Sequence, residues 1–328
     1  MYYNQARFVG QAVKTPPSHG GNTGSIPVRT AKEIFGRIFP FLLSENGGHP
    51  MNSFIDLHTH STASDGTLTP TALLSLAKEQ HLKAIALTDH DTTAGLEEAE
   101  QAAIKNHIEL VPGIEFSSTW NGSSVHIVGL DFNWKDAGFQ EALAKFQSSR
   151  TRRNIKMIAL LQKEGFHISM ESVQNAFPNS TCTRANLARF LVDNGEIPSM
   201  REAFDRYLGD HAKCYVPREE VTPAQTIDLI HQYGGIAVFA HPVLCRFSMP
   251  RLEELILELK KSNLDALEVF YSTYTHSDQT SMARLAEKYQ LKSSGGSDFH
   301  GSNKPLIHLG TGKGSLKIPY TVLESLRS

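Results

Sequence analysis

The sequence predicts an α/β protein, a parallel sheet covered by helices and interrupted by an all-helical insertion. Two observations carry that prediction. From Ser53 onward, short continuous apolar runs alternate with segments of helical period, the pattern of strands buried on both faces. Between about residues 135 and 215 the strands stop and only helical patterns remain. A barrel and an open doubly wound sheet both satisfy this alternation.

Taken in order, residues 1–50 stand apart from the rest. The stretch KTPPSHGGNTGSIPVRT is rich in Pro, Gly, Ser and Asn and has no strand or helix period. The apolar IFGRIFPFLL is short, broken by Pro40, and lacks a small-residue cleavage site, so it does not read as a targeting peptide. Met51 directly precedes the first convincing strand. Residues 1–50 are therefore expected to be a disordered extension or a mis-called start, with translation beginning at Met51. Next come the strand SFIDLHTH and a helix whose Leu73, Leu74, Leu76 and Ala77 form one apolar stripe. KAIALTDH, the helix TAGLEEAEQAAIKN, IELVPGIEFS and SSVHIVGLDF follow. The helical insertion, residues 135–215, is expected to cap the site, with Gly165, Gly195 and Gly209 as helix stops. GGIAVFAHP, LDALEVFY and LKSSGGSD complete the sheet, so the main domain is expected to comprise residues 51–134 and 216–328.

Composition bounds the function. A net charge of −2 argues against a protein that coats nucleic acid through a basic surface, though not against a site for one short strand. No apolar run approaches the ~20 residues of a membrane helix. Cys182, Cys214 and Cys245 form no CxxC pair and are read as incidental thiols of a reducing cytosol, which makes the expected location cytoplasmic.

The chemistry lies at the strand ends. His58 and His60 close the first strand, and the two-residue period puts both on one face. His90 closes the second, Glu115 the third, and His126 lies early in VHIVGL. His241 ends GIAVFAH, where Pro242 blocks continuation of a central strand. Asp298 and His300 follow the paired glycines of SSGGSDFHG, and Asp65 lies in the turn after the first strand. In parallel α/β folds, sites form beyond the carboxyl ends of strands. Singly, each residue reads as ordinary structure: Asp65 as a turn residue beside Gly66, His126 as a satisfied core histidine. Imidazole or carboxylate at so many successive strand ends does not. Asp56 and Asp89 are read as structural residues or as groups that orient the ligating imidazoles. Nitrogen and oxygen donors without thiolate suit Zn²⁺, Mn²⁺ or Fe²⁺. Nine donors exceed the needs of one tetrahedral ion, so two or three ions are expected.

These motifs resemble the PHP (polymerase and histidinol phosphatase) family, whose fold is a distorted (β/α)7 barrel. The likeness runs in order through DLHTHSTASDG, LTDHD, PGIEFS, VHIVG, AHP and GGSDFHG. The segment YLGDHAKCYVPREEVTPAQTIDLIHQYGGIAVFAHP is similar to one branch, the 3′,5′-nucleoside bisphosphate phosphatases, which include 5′–3′ exoribonucleases acting on short RNA. The resemblance implies three metal sites. His58, His60, Glu115 and Asp298 would hold the first ion. Glu115 would bridge to a second, completed by His126 and His241, and Asp65, His90 and His300 would hold a third. Many relatives have histidine at the position of Asp65; the carboxylate is the form of the nucleotide branch. In TRANLARFL, Arg184 matches the family's Arg-Pro-His pattern, while Ala185 and Asn186 replace Pro and His. An amide at Asn186 can donate to a phosphate but cannot carry a proton.

The expected reaction is hydrolysis of a phosphoester by a metal-activated hydroxide attacking phosphorus in line with the leaving oxygen. The expected substrates are a bisphosphate nucleotide such as pAp (adenosine 3′,5′-bisphosphate), giving AMP, or short 5′-phosphorylated RNA, both of which present two phosphates one nucleoside apart. Arg184 is the first candidate for the non-reacting phosphate, with Asn186, Arg218 and Lys304 as weaker ones. No protein partner is inferred. Three other readings compete: a histidinol-phosphate or other small-molecule phosphatase of the same family, a non-catalytic metal-binding module, and an amidohydrolase. The last ranks lowest, because it calls for a strand-end lysine where this chain has Glu115.

Overall fold

A computed structural model describes residues 53–218 and 221–328. The expectations for residues 1–50 lie outside the described residues.

The apolar runs form strands at the expected places. β1 (Phe54–Asp56), β2 (Leu82–Leu87), β3 (Glu109–Trp120), β4 (Ser123–Leu130), β5 (Ile236–Phe239), β6 (Ala266–Tyr271), β7 (Lys292–Gly296) and β8 (Ile318–Pro319) make one sheet, in the order β7-β6-β5-β4-β3-β2-β1-β8. The sheet nearly closes on itself. Past the formal ends of β1 and β7, Asp298 N donates to His58 O at 2.8 Å and His60 N to Phe299 O at 3.0 Å. Gly296 permits this closure, because a Cβ there would collide with the backbone and Cβ of His58. The barrel thus brings the first and last site motifs together.

Two departures from a purely parallel sheet bear on function. β8 pairs antiparallel with β1, and β4 runs antiparallel to both β3 and β5. β3 and β4 form a hairpin through Asn121 and Gly122, both at positive φ (48° and 79°), the geometry of a type I′ turn. The reversal explains His126: in a reversed strand the early residues lie at the rim where parallel strands end.

Helices cover the barrel. α1 (Pro70–Glu79) starts with Thr69 accepting from Ala72 N and Pro70 in its first turn, and α2 (Leu96–Asn106) packs beside it. Between β4 and β5 lie α3 (Ala137–Lys163), α4 (Met170–Ala176), α5 (Arg184–Asp193), and α6 (Met200–Ala203), which runs into a π turn over Phe204–Leu208. Met157, Leu161, Leu187, Leu191 and Leu208 build an apolar core for this segment, separate from the barrel core around Ile55, Phe116, Ile127 and Phe239. Gly165 and Gly195 end α3 and α5 in the left-handed region (φ 96° and 71°), where a Cβ is disfavoured. Gly209 ends the π turn without it, at φ −68°. α7 (Pro223–Gln232), α8 (Met249–Lys261), α9 (His276–Lys288) and α10 (Thr321–Arg327) complete the cover. Among the described residues no helix is long and apolar enough to cross a membrane.

Candidate metal centre and substrate cavity

Glu115 lies within β3 rather than at its end, is 1% exposed, and forms the hub of the strand-end residues. Its Oε2 faces three imidazoles: His58 Nε2 and His60 Nε2 at 3.3 Å and His90 Nδ1 at 3.1 Å. Its Oε1 faces two more, His126 Nδ1 at 2.7 Å and His241 Nε2 at 2.9 Å. The two oxygens therefore address different sets of nitrogen donors, the disposition of a bridging carboxylate. Asp298 Oδ1 stands 3.2 Å from His60 Nε2 and 3.3 Å from His300 Nδ1. Asp65 Oδ1 is 3.2 Å from His300 Nε2, and its Oδ2 is 3.7 Å from His90 Nε2.

All nine predicted ligands thus converge. Their donor atoms fall into four overlapping groups, each within 4.8 Å: His58, His60 and Asp298; His58, Glu115 and His241; His90, Glu115 and His126; His60, Asp65, His90 and His300. The donor set fits divalent cations on two further grounds. It contains only nitrogen and oxygen. Moreover His58 Nε2, both ring nitrogens of His60 and His90 Nδ1 are buried without an aligned hydrogen-bond partner, a costly state unless an electron-pair acceptor sits among them.

The electrostatics agree. Burial opposes ionisation of Glu115, yet His90, His126 and His58 outweigh it and hold the carboxyl well below the usual range. Burial also works against a charged His60, but the neighbouring carboxylates of Asp298 and Glu115 raise it to about 9. Burial drives His90 down to about 3 in spite of Glu115 and Asp65. Carboxylates kept anionic among buried imidazoles attract positive charge, which protons supply at His60 and which a bound cation would supply in their place.

Other residues hold these groups in place. Asp89 accepts from Ser61 N (2.8 Å), Ser61 Oγ (2.6 Å) and Ser64 Oγ (2.5 Å), fixing the turn that presents Asp65. Asp56 accepts from Ser297 N and Gly310 N, both at 2.8 Å, across the barrel seam. The two carboxylates thus anchor backbone and turn. Orientation of an imidazole of the candidate centre falls instead to Glu268, which the sequence reading missed inside the apolar run of β6. Its Oε1 lies 3.0 Å from His58 Nδ1 and its Oε2 accepts from His241 N at 2.7 Å. Held this way, His58 turns the electron pair of Nε2 inward. Glu268→Gln should weaken metal affinity by about 10–100-fold while the fold survives, measurable by cation titration of chelator-treated protein.

Beside the centre opens a cavity of about 350 Å³. Its lining includes Arg150, Arg153, Arg184 and Arg218, the apolar or aromatic side chains of Met200, Phe204 and Tyr215, and His90, His126 and Lys304. The expected phosphate contacts fare differently. Arg184 lines the cavity but pairs with Asp210 at 2.6 Å. Lys304 pairs with Asp298 Oδ2 at 2.5 Å. Arg218 is buried and committed to Asp91 Oδ2 (2.5 Å) and the carbonyls of Ser117 and Phe146. Asn186 departs from expectation: its side chain faces a second cavity, beyond Asp65. There Oδ1 accepts from Thr183 N and Oγ1, both at 2.8 Å, so the amide serves the start of α5. Asn186→Ala should lower stability by about 1–3 kcal/mol, seen in thermal unfolding, without raising KM for a bisphosphate nucleotide.

Arg153, also missed from the sequence, differs from Arg150, Arg184 and Arg218, each of which pairs with an aspartate. It is 7% exposed, lines the cavity, and makes no hydrogen bond or ion pair among the described residues. Burial, then repulsion from Arg150, Arg184 and Arg218, holds its pKa well below the ordinary arginine value. An anion arriving there relieves an unfavourable charge.

Comparison with known proteins agrees with this geometry. Residues 56–218 match the PHP domain family. The chain is 37% identical over 250 residues to a 5′-3′ exoribonuclease of Haemophilus influenzae, covering 76% of this chain and 91% of the relative. It is 35% identical over 249 residues to a 3′,5′-nucleoside bisphosphate phosphatase of Chromobacterium violaceum, covering 75% and 87%. Among solved structures, an amidohydrolase from Chromobacterium violaceum with bound sulfate and no metal superposes with a TM-score of 0.75 at 32% identity, covering 84% of this chain and 97% of the other.

Proposed function

The chain belongs to the PHP domain family, and on that premise we propose that it is a metal-dependent phosphoesterase that removes the 3′-phosphate of 3′,5′-bisphosphonucleotides and trims short 5′-phosphorylated RNA from its 5′ end. The observation that carries the substrate class is Arg153. An uncompensated guanidinium beside a cluster of cation ligands suits a substrate with two anionic groups, one reacting and one held.

Two or three divalent ions, Mn²⁺, Zn²⁺ or Fe²⁺, would be held by His58, His60, Asp65, His90, Glu115, His126, His241, Asp298 and His300. When bound, such ions supply Lewis-acid stabilisation of negative charge on the phosphoryl group and acidify water for attack at neutral pH. The chain's own residues do the rest. Glu115 spaces the donor sets, and Glu268 aims His58. Arg153 receives the non-reacting phosphate, with Arg184 above Tyr215 beside it. Met200 and Phe204 offer an apolar wall for the nucleoside, and the helical segment 135–215 limits water around it. No serine or cysteine nucleophile is needed.

Comparing phosphate release from pAp, 3′-AMP and histidinol phosphate in Mn²⁺-loaded protein tests the reading. It requires pAp to be the best of the three. A preference for histidinol phosphate would replace it with the small-molecule alternative, and inertness on all three would favour a non-catalytic module. The amidohydrolase name of one structural relative gains no support from the hub, because Glu115 stands where that chemistry would require a lysine carbamate.

A further inference from the structure

We infer that Asp91 is a positioning residue that sets the spacing between the metal centre and Arg153, and so the preference for substrates with a second phosphate. The inference rests on the reading of Arg153 as the contact to the non-reacting phosphate.

Asp91 is fully buried, follows His90, and sits in the left-handed region at φ 49°, a conformation held only where surrounding contacts demand it. It joins three parts of the chain. Toward the centre, Asp91 N donates to Glu115 O at 3.0 Å, and its Oδ1 accepts from Ser117 N at 3.1 Å, two residues along β3 from the hub. Toward α3, its Oδ2 accepts from Arg150 Nε at 2.7 Å, and its carbonyl accepts from Gln147 Nε2 at 3.0 Å. Toward the strand of chain returning from the helical segment, the same Oδ2 accepts from Arg218, whose other nitrogen donates to Phe146 O on α3 at 2.6 Å. Both crossings between barrel and helical segment are thus fastened to one carboxylate beside Glu115.

Arg153 follows Arg150 by three residues on α3, so the two share a helix face. Pinning Arg150 fixes the rotation of that face and the reach of Arg153 into the cavity. The carboxylate also offsets the charge of Arg150 and Arg218, leaving Arg153, of these three, without an ion-pair partner among the described residues.

The test compares pAp with 3′-AMP, which lacks the second phosphate, in metal-loaded wild type, Asp91→Asn, Arg153→Ala and the double variant. Asp91→Asn should lower kcat/KM for pAp by about 10–100-fold, mainly through KM, with 3′-AMP turnover and metal content unchanged. In the Arg153→Ala background it should cost nothing further. Equal losses on both substrates, or additive losses in the double variant, would overturn the inference. If Arg153→Ala leaves the pAp to 3′-AMP ratio unchanged, the phosphate reading fails and takes the inference with it. If Arg153→Ala lowers the ratio and Asp91→Asn does not, the inference alone fails. Arg150→Lys keeps the buried charge but loses the forked contact to Asp91 and Ser117, and should reproduce the selective loss if Asp91→Asn does not fold.

Discussion

Glu115→Ala should abolish phosphate release from pAp and strip cations from the centre. The expected loss in turnover exceeds the ~100-fold typical of a group that merely supports a ligand, because this one carboxylate faces five imidazoles. Removing it withdraws the negative charge that draws cations in and the spacer between donor sets. Five histidines would then face one another without their shared counter-charge. Glu115→Gln separates these effects: the amide keeps the size of the side chain but loses the anion. Elemental analysis should find less metal in both variants, with circular dichroism preserved in the glutamine form. Full occupancy with full activity in Glu115→Gln would remove the hub from the account.

The second large effect concerns substrate choice. Arg153→Ala should raise KM for pAp by about tenfold or more, in keeping with loss of a charge-assisted contact worth about 1.5–3 kcal/mol. Turnover of 3′-AMP should change little, since that substrate places nothing on the guanidinium. The same variant should narrow the difference between 5′-phosphorylated and 5′-hydroxyl oligoribonucleotides. Arg184→Ala is expected to do less, because Arg184 already spends part of its charge on Asp210. Steady-state kinetics on the paired substrates distinguish the two arginines directly.

Much of this site was legible in the sequence, for a physical reason. A strand that ends on His58 and His60, or on His241 before Pro242, breaks the apolar pattern abruptly, and metal ligation needs those side chains at a shared rim. The βα alternation likewise set out the strands, because strands buried on both faces must be continuously apolar. What escaped notice lacked such contrast. Glu268 sits in ALEVFY, where one carboxylate in a buried strand looks like an irregularity until His58 is seen 3.0 Å away. Arg153 is one of three arginines in RTRRN; burial sets it apart from Arg152, and the absence of an acidic partner among the described residues sets it apart from Arg150. The reversal of β4 did carry a signal, Asn121-Gly122 between two apolar runs, which a reading built on parallel alternation passed over. Asn186 looked like a substrate contact by resemblance. Its amide is taken by Thr183, an interaction that depends on where α5 begins.

The central claim is that nine side chains from six segments gather divalent cations into one cluster. Anomalous diffraction from crystals grown with Mn²⁺ tests it most directly. The account predicts two or three peaks among His58, His60, Asp65, His90, Glu115, His126, His241, Asp298 and His300, with Glu115 between adjacent peaks. A map without peaks there, at saturating Mn²⁺ and with the side chains ordered, would contradict it.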